Sequence, residues 1–322
     1  GEPYEEFYLH ALKALNYIHL NKIDASLVEV RKMVYKIDQL NIQLRGLADT
    51  YASSDTLESS IDWDTNDINV QNSPFARYLA SNLFAALGDV DAARIEREQF
   101  TKAIAEHYRL IDFSSQTDTS LKQSNRNVTP DWNLGPNNNV LLLSFTGMAP
   151  EKIQQDLRVY NEYWETELKV SLPILNPYRS KIMGVQIWVG DSLMGHSILL
   201  ESMHEIAQEV YSSKMPIIYG RALLRAISKY SGTRWVENMP EEEDSFFAHL
   251  LEFAGFLYKE GSEKADLRSW SSLPGNVFAH AFQLDPGSYE IEFRYINKQG
   301  LAIYSEFRDV QINQKKSVHL LE

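Results

Sequence analysis

The stretch Pro216 to Tyr230 (PIIYGRALLRAISKY) constrains the fold more than any other. On a helix, at about 100° per residue, Ile217, Tyr219, Ala222, Leu223, Leu224, Ala226, Ile227 and Tyr230 cover most of the circumference. Arg221, Arg225, Ser228 and Lys229 are confined to one narrow stripe. A helix that is apolar nearly all round belongs in an interior, so the chain must surround it with other elements. Pro216 suits the first turn and Ser231-Gly232 the stop. The expectation is a buried central helix carrying a line of cations.

With 322 residues, 44% of them hydrophobic, the chain can bury more than one core, and its length fits two domains better than one. Its formal net charge of -13 argues against a general nucleic-acid surface, which needs a basic face to release phosphate counterions. Cysteine is absent, which excludes disulfides, Cys-ligated zinc, iron–sulfur clusters and thiol nucleophiles. Apolar runs such as Val140 to Leu143 are far shorter than the roughly 20 residues a membrane helix needs. The helical pattern begins almost at Gly1, so a signal peptide either never existed or was removed; both readings stay open.

Two helical hairpins are expected at the start. Phe7, Leu9, Ala11, Leu12, Ala14, Leu15 and Ile18 recur at helical spacing, Asn21-Lys22 interrupts them, and Ala25, Leu27, Val28, Val30, Met33, Val34, Ile37 and Leu40 resume the pattern to about Leu47. After Pro74 come Phe75, Tyr78, Leu79, Leu83, Phe84 and Leu87, a Gly88-Asp89 turn, then Val90, Ala92, Ala93, Ile95, Phe100, Ala103 and Ile104. Small Ala80 and Ser81 opposite Ala93 permit close helix approach, with Phe84 and Phe100 filling the wider gaps. This arrangement resembles the tetratricopeptide repeat; the first hairpin fits more loosely, through Ala14, Tyr17, Asn21 and Ser26. Two such repeats are fewer than a free-standing solenoid needs, so the hairpins are expected to lean on the rest of the chain. The polar stretches Asp49 to Ser73 and Asp112 to Asn139 read as long, mobile loops.

From Val140 the periodicity changes. Val140 to Phe145 reads as a buried strand, Gly147 to Pro150 as a turn, and Lys169 to Leu175, Ile182 to Val189 and Ser197 to Met203 as further strands. Helical segments near Met203 to Ser212 and Ser245 to Lys259 flank the central helix. Val277 to Leu284, Ser288 to Asn297, Leu301 to Ile312 and Ser317 to Leu320 then form an antiparallel meander, one face of which is buried because Tyr289, Ile291, Phe293 and Tyr295 alternate with charged residues. The fold class is α+β: a helical domain over 1–112, a polar linker over 113–139, and a mixed domain over 140–322 ending in the meander.

Motifs for chemistry are incomplete. Asp62 to Ser73 starts like a calcium loop but has Asp67 at the sixth position and Ser73 at the twelfth, so it reads as a solvated acidic loop. His204-Glu205 is followed by Gln208 where a zinc protease needs its second histidine, and the 8 histidines show no metal-ligand pairing. Glu241 to Asp244 complement a helix dipole. No cofactor is implied. The stripe of Arg221, Arg225 and Lys229 either pairs with the chain's own acids or receives an anionic group or an acidic strip of a partner. Asp266, Arg268 and Trp270 pose the same choice between locking the helical part to the meander and rimming a ligand site.

Several phrases together resemble a family of functionally unassigned bacterial envelope lipoproteins. These are Tyr4 to Tyr17, Asn72 to Asp89, Gly147 to Ile153, Gly220 to Tyr230, Asp266 to Pro274 and Pro286 to Tyr289. The resemblance implies tetratricopeptide-like helices before an α+β body, and a lipidated cysteine that would lie just before Gly1. It further implies a place on the periplasmic side of the cell envelope, at the outer membrane, with contact to the membrane only through that lipid. No catalytic residues are carried over. The leading expectation is a non-enzymatic adaptor or assembly factor for protein partners. The alternative is a small-ligand or cell-wall glycan-binding protein with Trp132, Tyr163, Trp164, Trp188 and Trp235 lining a cleft, and a hydrolase of envelope polymers comes third.

Overall fold

A computed structural model describes residues 3–52, 73–111, 138–161, 166–176, 178–212, 270, 272–313 and 319–321. The central helix expected at Pro216 to Tyr230 and the helix expected at Ser245 to Lys259 lie outside these residues, as does most of each polar stretch.

Two helical hairpins open the chain: α1 (Pro3–His19) with α2 (Ile23–Ala52), and α3 (Pro74–Ala86) with α4 (Val90–Leu110). The turn between α1 and α2 works because Asn21 takes the left-handed conformation (φ 53), which Asn tolerates better than most residues, and its N–H bonds back to the carbonyl of Ile18. Gly88 (φ 80) does the same before α4, and the Asp89 side chain caps that helix by accepting the N–H of Ala92. Ser73 caps α3 by accepting the N–H of Ala76, with Pro74 in the first turn. Helix α2 runs to Ala52, five residues past the expected end near Leu47.

Among the described residues, ten strands follow: β1 (Val140–Thr146), β2 (Glu151–Asn161), β3 (Thr166–Asn176), β4 (Gly184–Val189), β5 (Ser192–His196), β6 (Ile198–Ser202), β7 (Asn276–Phe282), β8 (Gly287–Ile296), β9 (Ala302–Ile312) and β10 (His319–Leu321). A helical run over 203–212 (α5) continues from β6. One sheet has the order β10-β1-β7-β6, a second β5-β4-β8-β9, and β2 pairs with β3 alone. The second sheet is antiparallel throughout; in the first, β10 runs parallel to β1.

The expected meander is therefore corrected. Of the four strands expected in it, only β8 and β9 pair with each other; β7 lies in the other sheet between β1 and β6. The reason is visible in composition. β7 (NVFAHAF) is buried along almost its whole length, whereas β8 alternates. A strand apolar on both sides belongs in a layer covered on both sides. β1 (VLLLSFT) is of the same kind: Leu141 and Leu143 join one core while Val140 and Leu142 join the other. Two strands, β2 and β5, were not expected. β2 is mostly polar and pairs with β3 along its whole length, with Ile153 opposite Ile174.

The result is three layers. One core joins α1 to α5 with one face of the first sheet, through Phe7, Tyr8, Phe75, Leu79, Leu143, Ile198, Ile206 and Val277 among others. The second core fills the space between the sheets with Val140, Leu142, Phe278, Val185, Ile187, Ile291 and Phe293. The hairpins do lean on the body. β5 and β6 are nearly one strand that changes sheet at Ser197, whose N–H and hydroxyl are both bonded to Val185 of β4. Some residues read as core are exposed, including Leu9, Val28, Leu87, Val90 and Ile95.

Candidate functional site

Arg221, Arg225, Lys229, Asp266 and Arg268 lie outside the described residues, as do Trp132, Tyr163, Trp164 and Trp235. Trp270 is half-buried against the core beneath the helices. Its backbone N–H donates to the Glu5 carboxylate at 2.9 Å, and its indole N–H to the Ser272 hydroxyl at 2.6 Å. These contacts fasten the approach to β7 onto α1. Trp188 lies on the outer face of the second sheet, where the Arg294 guanidinium sits 4.3 Å from its ring centroid while binding both oxygens of Glu292 at 2.7 Å. That ring face is already occupied.

The most perturbed carboxyl stands elsewhere, on β6. Glu201 is fully buried. Strand alternation from Ile198 and Leu200, which face the helices, would aim Glu201 into the sandwich. A bulge between Leu199 and Glu201 adds one residue, so that Leu199 pairs with Phe278 and Glu201 with Val277, a residue of the helix-facing core. The carboxylate is thereby turned towards the helices. It accepts the Tyr8 hydroxyl of α1 at 2.7 Å, the Ser73 hydroxyl at 2.5 Å and the N–H of Phe75 in the first turn of α3 at 3.1 Å. The α3 dipole favours the anion there, but burial dominates and pushes the carboxyl up to about 7. Burial, followed by the neighbouring carboxylate, raises the Tyr8 phenol well above its usual range.

Helix α4 holds the same strand. The N–H of Ser202 donates to His107 Nε2 at 2.8 Å, so this nitrogen keeps its lone pair and the ring is neutral; burial lowers its pKa to about 4. The Tyr108 hydroxyl donates to the carbonyl of Leu199 at 2.7 Å. Three of the five residues of β6, Leu199, Glu201 and Ser202, thus exchange polar contacts with α1, α3 and α4. Glu201, Tyr8, Ser73 and His107 are all buried, and their bonds hold the helical layer on the sheet. Sequence reasoning missed this junction. The available signal was a lone acid ending an apolar strand (ILLES) in a chain with a Tyr and a His on otherwise apolar helix faces.

Among the described residues, no group of three or more His, Cys, Asp or Glu side chains could hold a metal ion. Among the described residues, two elements carry several exposed apolar side chains. On α2, Val28 (47% exposed), Tyr35 (58%) and Ile42 (71%) recur every seven residues, which places them along one solvent-facing line. On β9, Ile303, Tyr304 and Phe307 are exposed. No protein-family model, curated protein or solved structure matches the chain.

Proposed function

We propose that this protein is a non-enzymatic adaptor or assembly factor of the bacterial cell envelope, tethered on the periplasmic side by an N-terminal lipid, whose helical hairpins bind protein partners. The observation that carries this reading is the line of Val28, Tyr35 and Ile42 on α2. Monomeric surfaces expose single apolar residues routinely, but a row at seven-residue intervals is the seam that an amphipathic helix recognises. The geometry leaves room for such a partner. α2 has 30 residues against 17 in α1, so it is about 20 Å longer and its far end, with Ile42, outruns the α1 hairpin partner. Tetratricopeptide-like features support the same use: buried Ala80, Ser81 and Ala93 let α3 and α4 approach closely, and Tyr78 packs on Phe100 at 5.3 Å. The stripe of Arg221, Arg225 and Lys229 supplies a second partner contact, for an acidic strip.

A photo-crosslinking side chain at position 35, introduced into the lipidated protein in cells, tests the proposal. Reproducible adducts that disappear in the Val28→Ser/Ile42→Ser variant, with its melting temperature unchanged, are expected. Absence of adducts, or adducts indifferent to that variant, would overturn it.

A further inference from the structure

β9 is 11 residues long, closes one edge of the second sheet, and has β8 as its only strand neighbour among the described residues. An edge of this length presents a row of backbone groups ready for pairing, and proteins commonly blunt such edges with Pro, Lys or a mid-strand bulge. β9 (AIYSEFRDVQI) has neither Pro nor Lys, and its register shift lies at its beginning, beside Tyr295/Ile296. Tyr304 (59%) and Phe307 (57%) are instead exposed on opposite faces of it.

The order of charges on β9 selects its occupant. When a strand pairs antiparallel with its own copy, the two-fold axis passes through a residue position, because opposed residues must turn their backbone groups the same way. An axis at Glu306, Arg308 or Asp309 sets like charges opposite each other. An axis at Phe307 sets Glu306 against Arg308 of the second copy, twice over, with Tyr304 against Val310, Ser305 against Asp309 and Phe307 against itself. Within one chain Glu306 and Arg308 already pair with each other, so the association exchanges partners and strands no charge. We propose that β9 pairs antiparallel with β9 of a second copy about a two-fold axis at Phe307, joining the two second sheets into one continuous sheet. This surface lies in the layer opposite the helices, so it is independent of the seam on α2.

Light scattering and sedimentation of the whole chain should show a concentration-dependent species of twice 37.0 kDa. Glu306→Arg, which sets cations opposite each other twice, should weaken self-association about tenfold or more. Glu306→Arg/Arg308→Glu should restore it. Spin labels at position 307 should report near contact across the axis, and labels at Ser192 on β5 a separation of about 34 Å, seven strand spacings of about 4.8 Å. A single-chain mass at every concentration, a dimer indifferent to Glu306→Arg, or failure of the double variant to restore it would overturn the proposal. So would a monomer that instead takes up an extended peptide along β9.

Discussion

At the level of single residues, Glu201 is where folding and proton binding meet. Its carboxyl titrates near 7 in the folded protein against 4.5 for the free group, so folding favours the protonated acid. The stabilisation is complete below pH 4.5 and is lost as pH rises through 7. Glu201→Gln keeps an acceptor for Tyr8 and removes the charge. In denaturant titrations it should match the wild type near about pH 4 and exceed it by about 3 kcal/mol near about pH 9; parallel stability curves for the two proteins would show that the residue does not titrate in this range. His107 and His280 act in the opposite direction. Burial lowers both to about 4 from 6.5, so their contribution is present above 6.5 and is lost as pH falls through 4. His107→Gln should therefore flatten the acid limb of the stability profile while leaving the alkaline limb in place. Gly195 is a second site set by contact: a Cβ there would lie 2.2 Å from His280 Nε2. Gly195→Ala should cost about 1–3 kcal/mol, and a double-mutant cycle with His280→Ala should recover most of it. Additive losses in that cycle would locate the strain elsewhere.

At the level of elements, α3 is the keystone of the helical layer. Arg77 is buried and joins α2 through Asp38 at 2.7 Å and α4 through Glu96 at 3.1 Å. Burial raises the Glu96 carboxyl despite the Arg77 charge beside it, which shows how dependent that acid is on its partner. Arg77→Ala should cost about 3–5 kcal/mol in urea unfolding, because Glu96 is left buried and unpaired, whereas Arg77→Met/Glu96→Met should fall much closer to the wild type. Equal losses would show that packing, not charge, governs the site. The helices and most strands were legible because periodicity and caps are local: Asn21, Ser73-Pro74 and Gly88-Asp89 mark the helical turns, and Tyr289 to Tyr295 mark β8. Which positions each helix buries was less legible. Leu9 and Val28 have the right spacing but face solvent, while Tyr4 and Tyr8 are buried, because the position of the neighbouring layer, not the period, selects the face.

For the whole molecule, the shared core between helices and first sheet predicts one unfolding transition. Far-UV circular dichroism and tryptophan emission should give coincident denaturation curves, and two separated transitions would mean that the helical layer folds alone. The α+β class, the hairpins leaning on the body and the two-sided burial of β1 follow from residue types and spacing, which act over a few neighbours and so can be read along the chain. The assignment of β7 and β8 to different sheets, the parallel seat of β10 and the exposed edge of β9 could not be read that way. They depend on which layers compete for each face. The Glu201 junction shows this most directly. One extra residue in β6 reverses the direction of a carboxylate, and its partners, Tyr8 and Ser73, are 193 and 128 residues away in the chain. Local spacing cannot encode that contact, because it arises from the packing of three helices against one strand.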